Sequence, residues 1–502
     1  MRRALAAAAL LLAASACSAP EATTAAAPAT RADAPPAMGT NGAAVPALSW
    51  APCHGGFQCA SASVPLSYRE PHGSQVSLAV IKLPATDPAH RMGSLFFNFG
   101  GPGSDGVGEL TRFGARYPAE LRARFDLVSF DPRGIGGSAP IHCPGAEDIH
   151  PGGSPLRPEQ NAAFWSASAA PGKACAAGTG AELAHLSTAN VARDLDLLRQ
   201  AVGDQELNYY GYSYGTYLGG TYANLFPGRL RAMTLDGTLD LVANSTGKPG
   251  QEHEPVDVRA DVATAQQQEL EQFFAACTAA GPSNCAFAGG DPKAKFAAVF
   301  ARLSHGPVGG VTTASLLQTI ESALYQSGRW KRLGQVLAAL VPSSAVAPAP
   351  VLDPYTPVHS TGFLAVQCLD SDVPEQLADY LPLAAAEEKR QPYFGLAPVF
   401  SMAQCVKWPA RDEDRYTGPW NRPRPHPILV LNNRYDPATP LANAQATAAE
   451  LGDGNLLVVD GFGHTSLDVH SACASAAVAR YFIDLTPPAD GATCAPDTAP
   501  FS

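Results

Sequence analysis

GYSYG, residues 211–215, follows the apolar run LNYY (207–210) and precedes TYLGGTYANLF (216–226). The first flank carries the aromatic character of a strand, and the second reads as a helix. A serine at a strand-to-helix turn is forced into a strained backbone conformation that projects its hydroxyl above the sheet. Closely packed flanking backbone then demands residues without a Cβ, which accounts for Gly211 and Gly215 around Ser213. It is the only G-x-S-x-G in the chain.

Working outward, VSLAVIKL (76–83), GSLFFNFG (93–100), FDLVSFD (125–131), LNYYG (207–211) and LRAMTLDG (230–237) read as strands bounded by turn residues. STANVARDLDLLRQAVG (187–203) places Val191, Leu195, Leu198 and Val202 on one helical face, with Ser187 and Thr188 as N-cap residues and Gly203 at the close. Strands alternating with helices imply a mostly parallel sheet covered on both faces. Residues 245–420 break that rhythm with helical segments such as 264–277 and 314–328, joined by Pro- and Gly-rich connections. PILVLNNRYD (427–436) and NLLVVDGFGH (455–464) then restore the strand pattern. The fold class expected is α/β, an α/β-hydrolase fold with an inserted helical cap. Its core would be split into 49–244 and 421–502 around a cap at 245–420.

A serine hydroxyl is a poor nucleophile until a base takes its proton. On this fold the chain order is Ser, then Asp or Glu, then His. Asp436 directly follows a strand, at the carboxyl edge where ligands bind. His464 follows the next strand, in a loop loosened by glycines. His470 is the rival base, but it falls in what reads as the following helix. Asp460 is the rival acid, but it is too near His464 in sequence to reach behind it. NFGGPGSDG (98–106) follows an early strand, and its glycines let backbone N–H groups approach a substrate carbonyl. The expected oxyanion donors are Gly101 and Tyr214. The segment lacks the Lys-Ser/Thr ending of a phosphate loop.

The chain has 502 residues, 46% hydrophobic and 16% charged, with a net charge of −11. That balance suits a packed globular protein and argues against nucleic acid or anionic membrane as partners. MRR followed by ALAAAALLLAASA reads as a signal peptide over 1–17, too short to span a bilayer. Ala14-Ser15-Ala16 forms an A-x-A cleavage site, while Cys17 stands where a bacterial lipoprotein carries its lipid. Residues 18–48 are rich in Ala, Pro and Thr and read as a disordered linker, with ordered structure from Trp50. The expected location is therefore exported: periplasmic, attached to the envelope, or secreted. Any membrane contact would run through Cys17. Eleven cysteines leave ten once Cys17 is set aside. Export permits disulfides, and sequential pairing is the simplest proposal: Cys53 with Cys59, Cys143 with Cys175, Cys277 with Cys285, Cys368 with Cys405, and Cys473 with Cys494. Sequence alone leaves connectivity and oligomeric state open. A zinc site at Cys53, His54 and Cys59 is the weaker reading in that compartment, so no metal and no cofactor is expected.

Several stretches together resemble one family, the exported bacterial tripeptidyl and prolyl aminopeptidase-like serine hydrolases. They are FGGPGSDG, similar to that family's GGPGGSG; FDPRGIGGS; ARDLDLLR; YYGYSYGTYLGGTYANLFPGRLRAMTLDG; AVQCLDSD; VLNNRYDPATP; GFGHTS; and SACASAAVARYF with GATCAPDTAPF. The resemblance spans most of 50–502. Its triad carries over onto Ser213, Asp436 and His464. It implies cleavage of peptides or aminoacyl arylamides from a free N-terminus, with peptide as substrate and a helical cap limiting its length. Phe99 and the SDG stretch depart from the family pattern and bear on how the substrate is held. A free ammonium calls for an acidic anchor, and the candidates are Asp370, Asp372, Asp105, Glu109, Glu252 and Glu254. Arg133 is expected to brace its loop. The rival activities are a carboxylesterase or lipase-like hydrolase on the same scaffold and a non-catalytic binding lipoprotein.

Overall fold

Ten strands form one sheet in the order β1-β2-β3-β5-β4-β6-β7-β8-β9-β10 in the computed structural model, which describes residues 39–146, 155, 157–341 and 361–502. The expected signal segment, Cys17 and most of the expected linker lie outside the described residues, as does 342–360 of the insertion. The expectation that order begins at Trp50 is corrected by residues just before it. Gly39 O accepts from Arg193 Nε at 3.2 Å, Asn41 donates to Tyr68 O at 3.0 Å, and Ala43 and Leu48 pack on the core.

The sequence-read strands are β3 (Gln75–Leu83), β4 (Gly93–Asn98), β5 (Phe125–Phe130), β6 (Leu207–Tyr212), β7 (Leu230–Asp236), β8 (Ile428–Tyr435) and β9 (Gly454–Phe462). Three further strands join them: the three-residue β1 (Ala51–Cys53) and β10 (Ala492–Cys494), and the nine-residue β2 (Phe57–Pro65). From β5 to β10 every pairing is parallel, whereas β1, β2 and β3 pair antiparallel with one another and β3 pairs antiparallel with β5. β4 ends at Asn98, earlier than its apolar run suggests, because Gly100 and Gly101 turn to φ +90° and +104°.

β4, β5 and β6 are buried along their whole length, as central parallel strands must be when helices cover both faces. Alternate residues serve two cores: Phe96, Val128 and Tyr209 point into one, and Phe97, Leu127 and Tyr210 into the other. The helix Thr188–Ala201 starts where Ser187 accepts the N–H of Asn190 and packs against the helix Tyr214–Leu225. Buried Arg133 donates to Asp194 at 2.6 and 2.8 Å and to the carbonyls of Pro65, Leu66 and His185, so it ties the loop after β5 to β2 and to the start of that helix.

Because the chain passes from β4 to β5 on one side and then to β6, β7 and onward on the other side of β4, the strand order reverses between β4 and β6. Such a switch point opens a crevice at the carboxyl ends of the strands. Between β7 and β8 the chain forms helices, among them Val262–Ala280, Pro292–Leu303, Thr313–Leu324, Trp330–Ala339, Thr361–Asp370 and Leu377–Arg390. Several share a separate apolar core around Phe273, Phe274, Phe296, Leu316, Trp330 and Leu333. The five disulfides join the cysteines in the sequential pairs expected. Cys53 and Cys59 lie with His54 in a cluster of metal-ligand type, but their sulfurs are bonded to each other and offer no thiolate.

Candidate active site

The crevice at the switch point holds a cavity of about 340 Å³, with Phe99, Gly101, Tyr212, Ser213 and His464 among the residues at its base. Ser213 follows β6 directly and has φ +54°, a conformation that non-glycine residues rarely hold. Its neighbours maintain it: Ser213 N–H donates to Asp236 O at 2.9 Å, and Ser213 O accepts from Thr216 N–H at 2.8 Å. A Cβ at Gly211 would lie 2.3 Å from Gly215 O, and one at Gly215 would lie 2.6 Å from Asn98 O. A Cβ at Gly100 would lie 2.8 Å from the Cβ of Ser213. The loop after β4 therefore presses directly against the serine, and only glycine allows that approach. Among the described residues the N–H groups of Gly101 and Tyr214 beside it have no hydrogen-bond acceptor.

Asp436 lies one residue past β8 and His464 two residues past β9. His464 Nδ1 stands 2.9 Å from each carboxylate oxygen of Asp436. Asp436 also accepts from Ala438 N–H at 3.0 Å and Thr439 N–H at 2.8 Å, so its orientation is held by its own turn. An ionised carboxylate only accepts, so Nδ1 carries the proton and Nε2 keeps its lone pair. Burial disfavours the imidazolium, but the charge and hydrogen bond of Asp436, helped by Asp468 and Asp236, outweigh it and raise the His464 pKa above its usual value. The rivals sit elsewhere. His470 lines a separate small pocket, and Asp460 pairs with Arg434 at the surface.

Of the six acidic anchor candidates, only Glu109 lines this cavity. The other five do not line it and have partners or positions elsewhere. Asp370 is buried and accepts from Thr188 N–H at 3.1 Å and from Thr188 Oγ1 at 2.5 Å. Asp372 pairs with Arg415 at 2.7 Å, and Asp105 caps its helix by accepting Gly108 N–H at 3.1 Å. Glu252 accepts from Gly250 N–H at 3.0 Å, and Glu254 lies away from the cavity wall. Two acids that sequence reading missed complete the wall, Glu321 from the helical insertion and Asp468 from the turn after His464, together with Arg112 and Arg329. The Glu321 carboxylate makes no hydrogen bond or ion pair with the described residues. Burial, reinforced by the charge of Asp257, pushes its pKa up to about 7. Burial likewise raises the carboxyls of Glu109 and Asp468. The signal that could have found Glu321 was faint: it stands four residues before Tyr325, on the helix face that meets the base loop.

The family described as alpha/beta hydrolase fold matches residues 97–281, and that described as TAP-like protein matches 391–494. Residues 282–390, which include Glu321, fall between the two. The serine protease Hip1 of Mycobacterium tuberculosis is 30% identical, over 89% of this chain and 91% of that protein. The tripeptidyl aminopeptidase of Streptomyces lividans is 28% identical, over 88% and 84%. A carboxylesterase B of Mycobacterium tuberculosis is 31% identical, over 88% and 86%.

Proposed function

The chain belongs to the α/β-hydrolase family, with a TAP-like C-terminal part, and from that premise we propose that it is an exported serine peptidase that releases short N-terminal peptides or single residues from peptides with a free amine. The observation that carries this reading is the Asp436–His464 pair, held at 2.9 Å in the same cavity as a serine in nucleophile-elbow conformation.

In this mechanism Ser213 Oγ attacks the scissile carbonyl carbon while His464 Nε2 takes its proton. The N–H groups of Gly101 and Tyr214 receive the negative charge that develops on the carbonyl oxygen, a contribution of about 3–4 kcal/mol for each donor. The tetrahedral intermediate collapses, His464 returns the proton to the leaving amine, and an acyl-enzyme remains on Ser213. Water then attacks that ester with His464 again as base, and the N-terminal fragment leaves. Asp436 holds the imidazole in the required tautomer and balances its charge throughout.

The helical insertion acts as the cap. Glu321, Glu109 and Asp468 give the cavity three carboxyls against the two guanidiniums of Arg112 and Arg329. Glu321, which has no hydrogen bond or ion pair among the described residues, is the anchor for the substrate ammonium, because a desolvated carboxylate–ammonium pair rejects a blocked terminus. Export accords with five disulfides, which persist in oxidising compartments. Among the described residues no helix is long and apolar enough to cross a membrane, so attachment would fall to a lipid on Cys17.

The test is hydrolysis of aminoacyl arylamides and of a free-amine peptide library, read by mass spectrometry, for wild-type and Ser213→Ala protein. Retained activity in the variant would refute the assignment. The second reading, a carboxylesterase, draws on the similarity to carboxylesterase B. Acyl esters and acetylated peptides cleaved faster than free-amine peptides would establish it instead.

A further inference from the structure

The insertion does more than roof the cavity, because one of its turns is bonded to the loop that carries the base. The helix Thr313–Leu324 ends at Tyr325, whose backbone carbonyl accepts the N–H of His464 at 2.9 Å. The next residue, Gln326, pairs with Gly463 as an isolated antiparallel bridge. Its side-chain amide donates to Asp468 Oδ1 at 2.8 Å. The rings of Tyr325 and His464 meet edge to face with centroids 5.1 Å apart. Just upstream, Phe462 at the end of β9 packs on the wholly buried Trp330 at 5.1 Å and joins the apolar core of the insertion.

The sheet grips the same loop from the other side. Asn433 Nδ2 donates to Gly463 O at 2.8 Å and to Thr465 O at 3.1 Å. The N–H of His464, however, is satisfied by the insertion. The approach is close: a Cβ at Gly463, where φ is +119°, would lie 2.7 Å from Tyr325 O. A glycine there is what lets the cap carbonyl reach the base loop.

We propose that the turn Tyr325–Gln326 is a positioning element for His464, so that the cap and the base loop form one mechanical unit and displacing the cap shifts the imidazole out of reach of Ser213 across the cavity that both line. This rests on the reading of Ser213 and His464 as nucleophile and base. Gln326 touches no reacting atom; it acts through the backbone of residues 463 and 464 and through Asp468. The cap thus governs the chemical step as well as the fit of the peptide.

The test perturbs the turn from the cap side and reads a substrate too small to need the cap. Gln326→Ala removes the tie to Asp468. Gln326→Pro disfavours the helical conformation of Tyr325 (φ −60°, ψ −27°) and so moves its carbonyl. The substrate is a short activated acyl ester, with the rate of fluorophosphonate labelling as a second readout. The expected result is a fall in kcat of about tenfold for Gln326→Ala and about a hundredfold for Gln326→Pro, with KM for the ester little changed, since a misplacement of about 1 Å costs on the order of a hundredfold. Lys293→Ala, which removes an exposed pair with Glu271, keeps wild-type rates. Wild-type kcat and labelling in the Gln326 variants, with only the peptide KM raised, would overturn the proposal and leave the cap as a substrate wall. Where circular dichroism shows Gln326→Pro to be unfolded, Gln326→Ala decides by the same criterion. Failure of the underlying reading is separately visible as retained activity in Ser213→Ala.

Discussion

The carboxyl edge of the sheet and the helical insertion above it build the same cavity by different means. At the sheet edge each reactive side chain is placed by backbone geometry. Ser213 is held at φ +54° between glycines that permit no Cβ, Asp436 is gripped by the N–H groups of its own turn, and His464 follows the end of β9. In the insertion, Glu321 is placed by the packing of helices around Phe273, Leu316 and Trp330. The first kind of placement is local and leaves a motif, whereas the second is collective and leaves none. On the proposed function the contrast separates chemistry from selection: the sheet edge would supply the nucleophile and base, and Glu321 of the insertion would join Glu109 and Asp468 in facing the substrate.

The strongest way to break that comparison is Ser213→Ala, expected to lower kcat by about 10⁶-fold while peptide binding persists. Stopped-assay kinetics with titration calorimetry checks both halves. Asp436→Asn should lower kcat by about 10⁴-fold, because the wrong imidazole tautomer then faces the serine. Its pH profile sharpens the point. His464 must be neutral to act, and its raised pKa puts the acid limb of kcat/KM above about pH 6.5. Activity is lost as pH falls through that limb, and Asp436→Asn moves the limb to lower pH.

The stability of the two regions offers a further test. Replacing Cys368 and Cys405 by serine opens a loop of 37 residues and is expected to cost about 4 kcal/mol by chain entropy, against about 2 kcal/mol for Cys53 and Cys59, separated by 6. Urea unfolding of the two double variants measures the difference.

The smallest effect belongs to the substrate-facing wall. Glu321→Gln should lower kcat/KM for free-amine peptides by about tenfold to a hundredfold, the worth of a hydrogen bond to a charged group, and leave acetylated peptides unchanged. With the Glu321 pKa at about 7, the carboxyl is neutral below that pH and charged above it. KM for free-amine peptides therefore falls as pH rises through about 7, and does not in the variant.

How much was legible follows the same division. The strained serine turn, the strand ends that carry Asp436 and His464, the parallel core strands and the cysteine pairing each leave a local trace: a glycine spacing, an apolar run, a short sequence separation. β1 and β10 were missed because three-residue strands carry too little pattern, β2 because its middle, Ala60–Ser63, is a run of small residues without β-branched or aromatic signal, and the contacts before Trp50 because Gly39 and Asn41 are fixed by partners far along the chain. The acidic anchor candidates met a related limit. Asp370, Asp372 and Asp105 each bond another group of the protein, for Asp370 one 182 positions away, so the sequence around a carboxylate does not say whether it faces the cavity.

By itself the sequence determined an α/β-hydrolase sheet with a helical interruption and one serine flanked by glycines at a strand end, because strand period, glycine spacing and turn chemistry are properties of neighbouring residues. Only the tertiary structure decided which charges face the cavity and that a cap carbonyl holds the N–H of His464. Those contacts join residues more than a hundred positions apart, and no local pattern encodes where separate helices come to rest.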